Sequence, residues 1–211
     1  MRTALVAGAS GLVGSSLVKM LLQMPEYETV HILVRKEIDL AHPNLFQHVA
    51  DFDRLETLNL EFKVDDAFVT LGTTIAKAGS KSAFYKVDHD YVLSFARKAL
   101  SLGATGIFVV SSMGASPSSS IFYNKVKGEI ENDLKAIGFP RLGIFRPSLL
   151  LGPRTEKRIG EKLASWMMQS LDFMIPAKYK AIHVDKVAKK MVEMALKDEY
   201  GFFIFESDKL Q

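Results

Sequence analysis

Ser112, Tyr123 and Lys127 are the residues of this 211-residue chain whose types and spacing suit proton transfer. Tyr123 and Lys127 stand four apart, so on a helix the phenol and the ammonium share one face. A nearby ammonium stabilises a phenolate, lowering a pKa that is about 10 when unperturbed. A phenol tuned in this way donates or accepts a proton at a carbonyl or hydroxyl oxygen. A serine hydroxyl beside it, Ser112 or its neighbour Ser111, can hydrogen-bond the same oxygen. Tyrosine and lysine at this spacing are common on ordinary helices, so the pattern takes its meaning from the elements that position it.

Those elements begin at the N-terminus. Thr3-Ala4-Leu5-Val6-Ala7 reads as a buried strand, and Gly8-Ala9-Ser10-Gly11-Leu12-Val13-Gly14 reads as a turn into an amphipathic helix over Ser15 to Met24. The spacing is G-x-x-G-x-x-G, with Ser10 in the middle position. Such a turn lets the backbone approach a diphosphate and aims the amides of Leu12 and Val13 at it. Further strands are expected at Thr29–Val34, Gln47–Ala50, Ala67–Leu71, Gly106–Val110, Arg141–Arg146, Ala181–Val184 and Gly201–Phe205. Helices are expected at 82–102, 122–137, 159–171 and 185–197. Near-continuous apolar strands alternating with helices imply an α/β fold, a doubly wound (Rossmann) parallel sheet flanked by helices. One NAD(P)-binding domain over 1–211 is expected, with a small C-terminal cap near 151–180 on the substrate side.

In such a sheet ligands lie beyond the C-terminal ends of the strands. Arg35-Lys36 follows the second strand, where a carboxylate would select the ribose of NAD; a basic residue suits a 2′-phosphate, so NADP(H) is the expected cofactor. Asp51 and Phe52 follow the third strand and are placed to border an adenine, although solvation alone would explain Asp51. After the fourth, Leu71-Gly72-Thr73-Thr74 lets backbone and hydroxyls reach the middle of the cofactor, and Ser111-Ser112 follows the fifth.

Bulk properties narrow the alternatives. The chain has no cysteine, which excludes disulfides and thiolate chemistry, and its five histidines show no metal-ligand spacing, so no metal is expected. A net charge of +3, spread along the chain, gives no ground for a nucleic-acid partner. No apolar run approaches the ~20 residues that span a bilayer, and no signal peptide is legible, so a cytoplasmic protein without a membrane partner is expected. Asp185 is expected to cap the helix it opens, His183 to be structural, and Lys186, Lys189 and Lys190 to form a solvated face. Trp166, Met167, Met168, Phe173 and Met174 read as core packing in the cap.

Taken together, Gly8-x-x-Gly11-x-x-Gly14, Ser112, Tyr123-x-x-x-Lys127 and Arg146-Pro147-Ser148 resemble the short-chain dehydrogenases/reductases in their extended and atypical branch. Within it, Thr70–Thr74, Ala78-Gly79-Ser80, Val87-Asp88, Lys127-Gly128-Glu129 and Phe145–Arg154 are similar to the Tat-interacting oxidoreductase (CC3) group and its bacterial relatives. The resemblance implies that Tyr123 is the acid/base and that Lys127 supports it and holds the nicotinamide ribose. It also implies that Ser112 or Ser111 orients a carbonyl or alcohol substrate, that the Pro147-Ser148 turn lies against the nicotinamide, and that the cofactor is NADPH. Ala7 departs from the family's usual threonine, and a long C-terminal substrate domain like that of extended members is not expected. A non-catalytic NADPH-binding redox sensor or scaffold uses the same glycines and is the rival reading. An epimerase or dehydratase is disfavoured by the short C-terminal segment. A homodimer and a regulatory protein partner both stay open.

Overall fold

The computed structural model describes residues 1–152, 176 and 179–211. The expected helix at 159–171, the cluster around Trp166 and most of the expected cap lie outside the described residues. The chain runs β1 (Arg2–Ala7), α1 (Leu12–Leu21), β2 (Tyr27–Val34), β3 (Leu45–Val49), a 3-10 turn (Phe52–Thr57), β4 (Asp66–Val69), α2 (Ile75–Ala78) and α3 (Lys81–Tyr85). A π-helical turn (Lys86–Asp90), α4 (Tyr91–Ser101), β5 (Gly106–Val110), α5 (Phe122–Ile137), β6 (Arg141–Arg146) and β7 (Leu150–Leu151) follow. Then come β8 (Ile182–His183), α6 (Val184–Leu196), β9 (Gly201–Glu206) and a closing 3-10 turn (Ser207–Leu210).

Seven strands form one sheet in the order β3-β2-β1-β4-β5-β6-β9. Every pairing in it is parallel. The two-residue alternation of a strand divides its apolar side chains between two cores. Ala4, Val6, Val30, Ile32, Phe68, Phe108 and Phe145 pack under α1 and α6. Leu5, Ala7, Leu33, Ala67, Val69, Ile107 and Ile144 pack under α4 on the opposite face, together with Ile130 and Leu134 of α5. Covering both faces is what makes the strands read as unbroken apolar runs. A separate two-stranded parallel ladder joins β7 to β8.

Two departures from the sequence reading have local causes. The stretch expected as one helix over 82–102 is broken by the π turn, which inserts a residue and changes which side chains point inward. Asp185 does not cap α6; His183 holds that position, and the Asp185 carboxylate accepts from the Ser16 hydroxyl of α1 at 2.5 Å. It also accepts from His183 Nδ1 at 3.0 Å, so it ties α6 to α1 rather than to its own amides.

Histidines 31 and 48 pair across β2 and β3, with Nδ1 of one 2.9 Å from Nε2 of the other. The His31 ring stacks on Phe62 at 3.7 Å and on Phe46 at 4.9 Å. Burial, with His48 alongside, pushes the His31 imidazole down to about 4, and burial lowers His48 as well. The folded state therefore favours neutral rings, while the unfolded chain takes up protons first as pH falls below about 6.5. Stability is expected to be flat in this respect above that pH and to fall between it and about 4, by on the order of 2 kcal/mol. Urea unfolding of the wild type and of His31→Phe/His48→Phe at stepped pH checks this; parallel acid limbs in the two proteins would refute it.

Candidate active site

The first part of the site forms where the strand order reverses. β1 is flanked by β2 and β4, so a crevice opens over the ends of β1 and β4. Gly8 leaves β1 with φ +92°, and a Cβ on it would stand 2.6 Å from the Thr70 carbonyl carbon. A Cβ on Gly14 would stand 2.1 Å from the Gly8 carbonyl oxygen. Both glycines are thus required by contact: turn, helix and β4 touch through bare backbone. Ala7 keeps its carbonyl satisfied because the Thr70 amide and hydroxyl both donate to it, at 2.9 and 3.0 Å. Gly11 caps α1, leaving the first-turn amides of Leu12, Val13 and Gly14 as donors at a positive dipole end.

Beside this turn lies a cleft of about 410 Å³ lined by Gly8, Ser10, Arg35, Lys36, Phe52 and Leu71, among others. Glu37 and Ile38, which the sequence reading did not single out, line it too. Arg35 and Lys36 are exposed, with their charges available to an anion. Asp51 is not among the lining residues; its carboxylate accepts from the Asp53 amide at 3.0 Å and starts the 3-10 turn that brings Phe52 in.

The second part forms at the ends of β5 and β6. The two serines face different surroundings. Ser111 donates its hydroxyl to Glu131, and its amide bonds to the Phe145 carbonyl at 2.7 Å. Glu131 is buried and gripped by Arg146, whose Nε lies 3.1 Å away; Arg146 also reaches Glu206 at 2.9 Å. The Glu131 carboxylate, outweighing the cost of burial, holds the Arg146 guanidinium above its ordinary value. The Ser112 hydroxyl, by contrast, is buried with no hydrogen-bond partner among the described residues. An unmatched buried hydroxyl is costly unless something else supplies the bond.

Tyr123 and Lys127 lie in the first half of α5. The Tyr123 ring packs on Phe84, with centroids 5.4 Å apart. Lys127 is 4% exposed, and its Nζ is 2.8 Å from Oδ1 of Asp88, which is fully buried on the π turn. The other Asp88 oxygen accepts from the Thr73 amide at 2.9 Å. Burial is the largest influence and by itself would lower the Lys127 ammonium, but Asp88 together with Tyr123 and Glu131 outweighs it and the net direction is up. The Leu71–Thr74 segment crosses directly over this pair: a Cβ on Gly72 would stand 3.5 Å from Asp88 Oδ1 and 3.9 Å from Lys127 Nζ. Thr74 turns away to cap α2 through the Lys77 amide at 3.2 Å.

Gly128 lets the loop from Ser112 to Tyr123 fold against α5, since a Cβ there would stand 2.2 Å from the backbone of Ser116 and Pro117. The Pro147 carbonyl accepts from the Met113 amide at 3.1 Å, joining the Pro147-Ser148 turn to the serine turn. The Ser148 hydroxyl points elsewhere, to the Lys180 carbonyl and to Ser207, 2.9 Å away. Glu131 and the direct partnership of Asp88 are what the residue reading missed. Glu131 had a signal, since Tyr123, Lys127 and Glu131 continue the same four-residue spacing along α5.

With this geometry in place, resemblance to known proteins has structural content. No family model matches the chain. Protein HTATIP2 of Rattus norvegicus is 38% identical over 174 residues, covering 81% of this chain and 72% of that protein. Protein FMP52, mitochondrial, of Eremothecium gossypii is 34% identical over 203 residues, covering 93% and 89%. The chain belongs to the HTATIP2 and FMP52 family. Solved structures similar in fold include the UDP-glucose 4-epimerase of Thermotoga maritima, with TM-score 0.71, 16% identity and 98% and 77% coverage. Another is the Bordetella bronchiseptica enzyme WbmH in complex with NAD+, with TM-score 0.73, 16% identity and 98% and 76% coverage.

Membership of the HTATIP2 and FMP52 family corrects one expectation. The FMP52 relatives are named as mitochondrial, which overturns the cytoplasmic assignment. That assignment rested on the lack of a spanning segment, a property that does not separate one aqueous compartment from another. No helix among the described residues is long and apolar enough to cross a membrane.

Proposed function

We propose that the protein is an NADP(H)-dependent oxidoreductase that moves a hydride between the nicotinamide and a carbonyl or alcohol carbon. The observation that carries this reading is the pocket at the end of β5 that Ser111 shares with Lys127, Asp88 and Glu131, with Tyr123 one turn before Lys127 on α5 and Ser112 next to Ser111. The glycine cradle fits a dinucleotide, because its backbone approach leaves no room for side chains at Gly8 and Gly14. WbmH, similar in fold, is a protein in complex with NAD+. The cofactor supplies the hydride. The α1 amides hold its diphosphate, Arg35 with Lys36 binds a 2′-phosphate, and Phe52 borders the adenine. Asp51 starts the turn that carries Phe52, Leu71 lines the cleft, and Gly72 and Thr73 lie over Asp88 and Lys127; the Pro147-Ser148 turn, joined to Met113, would lie on the nicotinamide side, with the Ser148 hydroxyl turned to Lys180 and Ser207. Ser112 holds the substrate oxygen, Tyr123 gives that oxygen a proton during reduction, and the Lys127 charge supports the developing alkoxide. Ser111 acts from behind, through Glu131.

Titration with NADPH and NADH tests the reading. Arg35→Ala is expected to weaken NADPH binding by on the order of tenfold and to leave NADH unchanged. An unaltered preference would remove Arg35 from the phosphate site. A screen of NADPH oxidation across aldehydes, ketones and quinones tests the chemistry; tight NADPH binding with no turnover anywhere would favour a redox-sensing regulator instead.

A further inference from the structure

Lys127 is an amine in a place where amines lose their charge. Its side chain is walled in by α5, the π turn and the Leu71–Thr74 segment, and burial of this degree disfavours an ammonium. The groups that face it are few. Asp88 comes from the π turn at 2.8 Å, and Tyr123 and Glu131 come from its own helix. Arg146 of β6 stands behind Glu131 and neutralises it. The Leu71–Thr74 segment presents backbone alone at this point, through Gly72 and the Thr73 amide. Among the described residues, Asp88 is therefore the one uncompensated anion in direct contact with the ammonium.

The carboxylate comes from the buried side of the π turn. Phe84, Asp88, His89 and Val92 are buried along this stretch, while Val87 and Tyr91 are half-buried. A helical irregularity that buries a charge against a lysine is costly unless the pair does something. Its second oxygen accepts from Thr73, two residues beyond Leu71 of the cleft, so one carboxylate fixes both the ammonium and the loop above it.

We infer that Asp88 is a positioning residue, which keeps Lys127 charged and aimed and couples it to the Leu71–Thr74 segment. It acts through Lys127 and touches neither substrate nor hydride. The inference rests on the proposed oxidoreductase reading for its purpose, but its physical content does not need turnover.

Lysine carbon-13 NMR across pH 7 to 11, with Lys127 assigned by Lys127→Arg, reads the charge directly in wild type, Asp88→Asn and Asp88→Glu. Wild-type Lys127 is expected to keep its proton beyond the range of an ordinary lysine. Asp88→Asn preserves the acceptor for Thr73 but leaves burial opposed only by Tyr123 and Glu131, so Lys127 should lose its proton at least about tenfold more readily, and Asp88→Glu should restore much of the hold. NADPH titration over the same pH range should show an alkaline loss of affinity in Asp88→Asn that Asp88→Asn/Lys127→Arg lacks, because a guanidinium stays charged. A wild-type Lys127 that titrates below the ordinary lysine range would overturn the inference even if the variants fail to fold. So would superimposable Lys127 titrations in wild type and Asp88→Asn. If wild type binds no NADPH, the cofactor reading fails, and the NMR comparison still decides the role of Asp88.

Discussion

Tyr123→Phe is expected to lower turnover with any carbonyl substrate by on the order of a thousandfold or more, while NADPH binding stays within about twofold of wild type. The substitution removes one oxygen and keeps the ring that packs on Phe84, so the aromatic contact at 5.4 Å survives and folding should be unaffected. Nothing in the adenosine cleft is within reach of the change, since its lining comes from the ends of β1 and β2 with Phe52 and Leu71. The loss should therefore fall on the chemical step. Ser112→Ala should show the same split with a smaller loss, because the Ser112 hydroxyl has no hydrogen-bond partner among the described residues and a substrate oxygen would supply one. Ser111→Ala should behave differently, lowering stability more than turnover, since it takes a donor away from buried Glu131. Single-turnover rates beside equilibrium NADPH titrations separate these effects. Retention of most of the turnover by Tyr123→Phe would remove the phenol from the proton-transfer role.

The parts of the fold that were legible in the sequence are those whose cause is local. β1, the glycine turn and α1 are contiguous, so the bare-backbone packing of Gly8 and Gly14 leaves a direct trace in spacing. The α5 helix runs from Phe122 to Ile137 as its periodicity implies, and this puts Tyr123 and Lys127 on consecutive turns. Illegible features were those in which a charge occupies a position that pattern reading reserves for an apolar residue. In the stretch from 82 to 102 the charged Asp88 is fully buried, while the apolar Val87 and Tyr91 are half-buried. Its partner Lys127 on α5, far away in sequence, is what makes that burial tolerable. The same holds for the different surroundings of Ser111 and Ser112. Adjacent residues at a strand end point to opposite sides, and which side holds Glu131 depends on a helix twenty positions away. The Asp185 carboxylate was misassigned for a related reason, because its partner Ser16 is 169 positions distant.

An ion-pair network at the other end of the sheet should show the largest stability effect. Arg2, Tyr27, Asp66 and Arg141 are the first residues of β1, β2, β4 and β6, so the parallel arrangement gathers them at the N-terminal edge, opposite the cofactor cleft. Asp66 is fully buried and accepts from Arg141 Nη2 at 2.7 Å, Arg2 Nη1 at 2.9 Å and the Tyr27 hydroxyl at 2.8 Å. Burial and the Asp66 carboxylate both push the Tyr27 phenol up, so it remains a donor. The two guanidinium groups also donate to the Ala195 carbonyl near the end of α6, at 2.6 and 2.7 Å, which fastens the last helix to the first strand. Asp66→Ala would leave Arg141, only 3% exposed, as a buried charge with its nearest anion gone. Removing one partner of a buried pair typically costs about 3–5 kcal/mol, a large share of the roughly 5–15 kcal/mol that holds a domain together. Urea unfolding should show a loss of that size, and NADPH affinity of the protein that remains folded should be unchanged. Converting Asp66 and Arg141 together to apolar residues should recover part of the loss, because the penalty lies in the orphaned charge more than in the missing bond. A loss below about 1 kcal/mol in Asp66→Ala would mean that water or Asp198 takes over the pairing of Arg141, and that the edge of the sheet is held by its apolar cores alone.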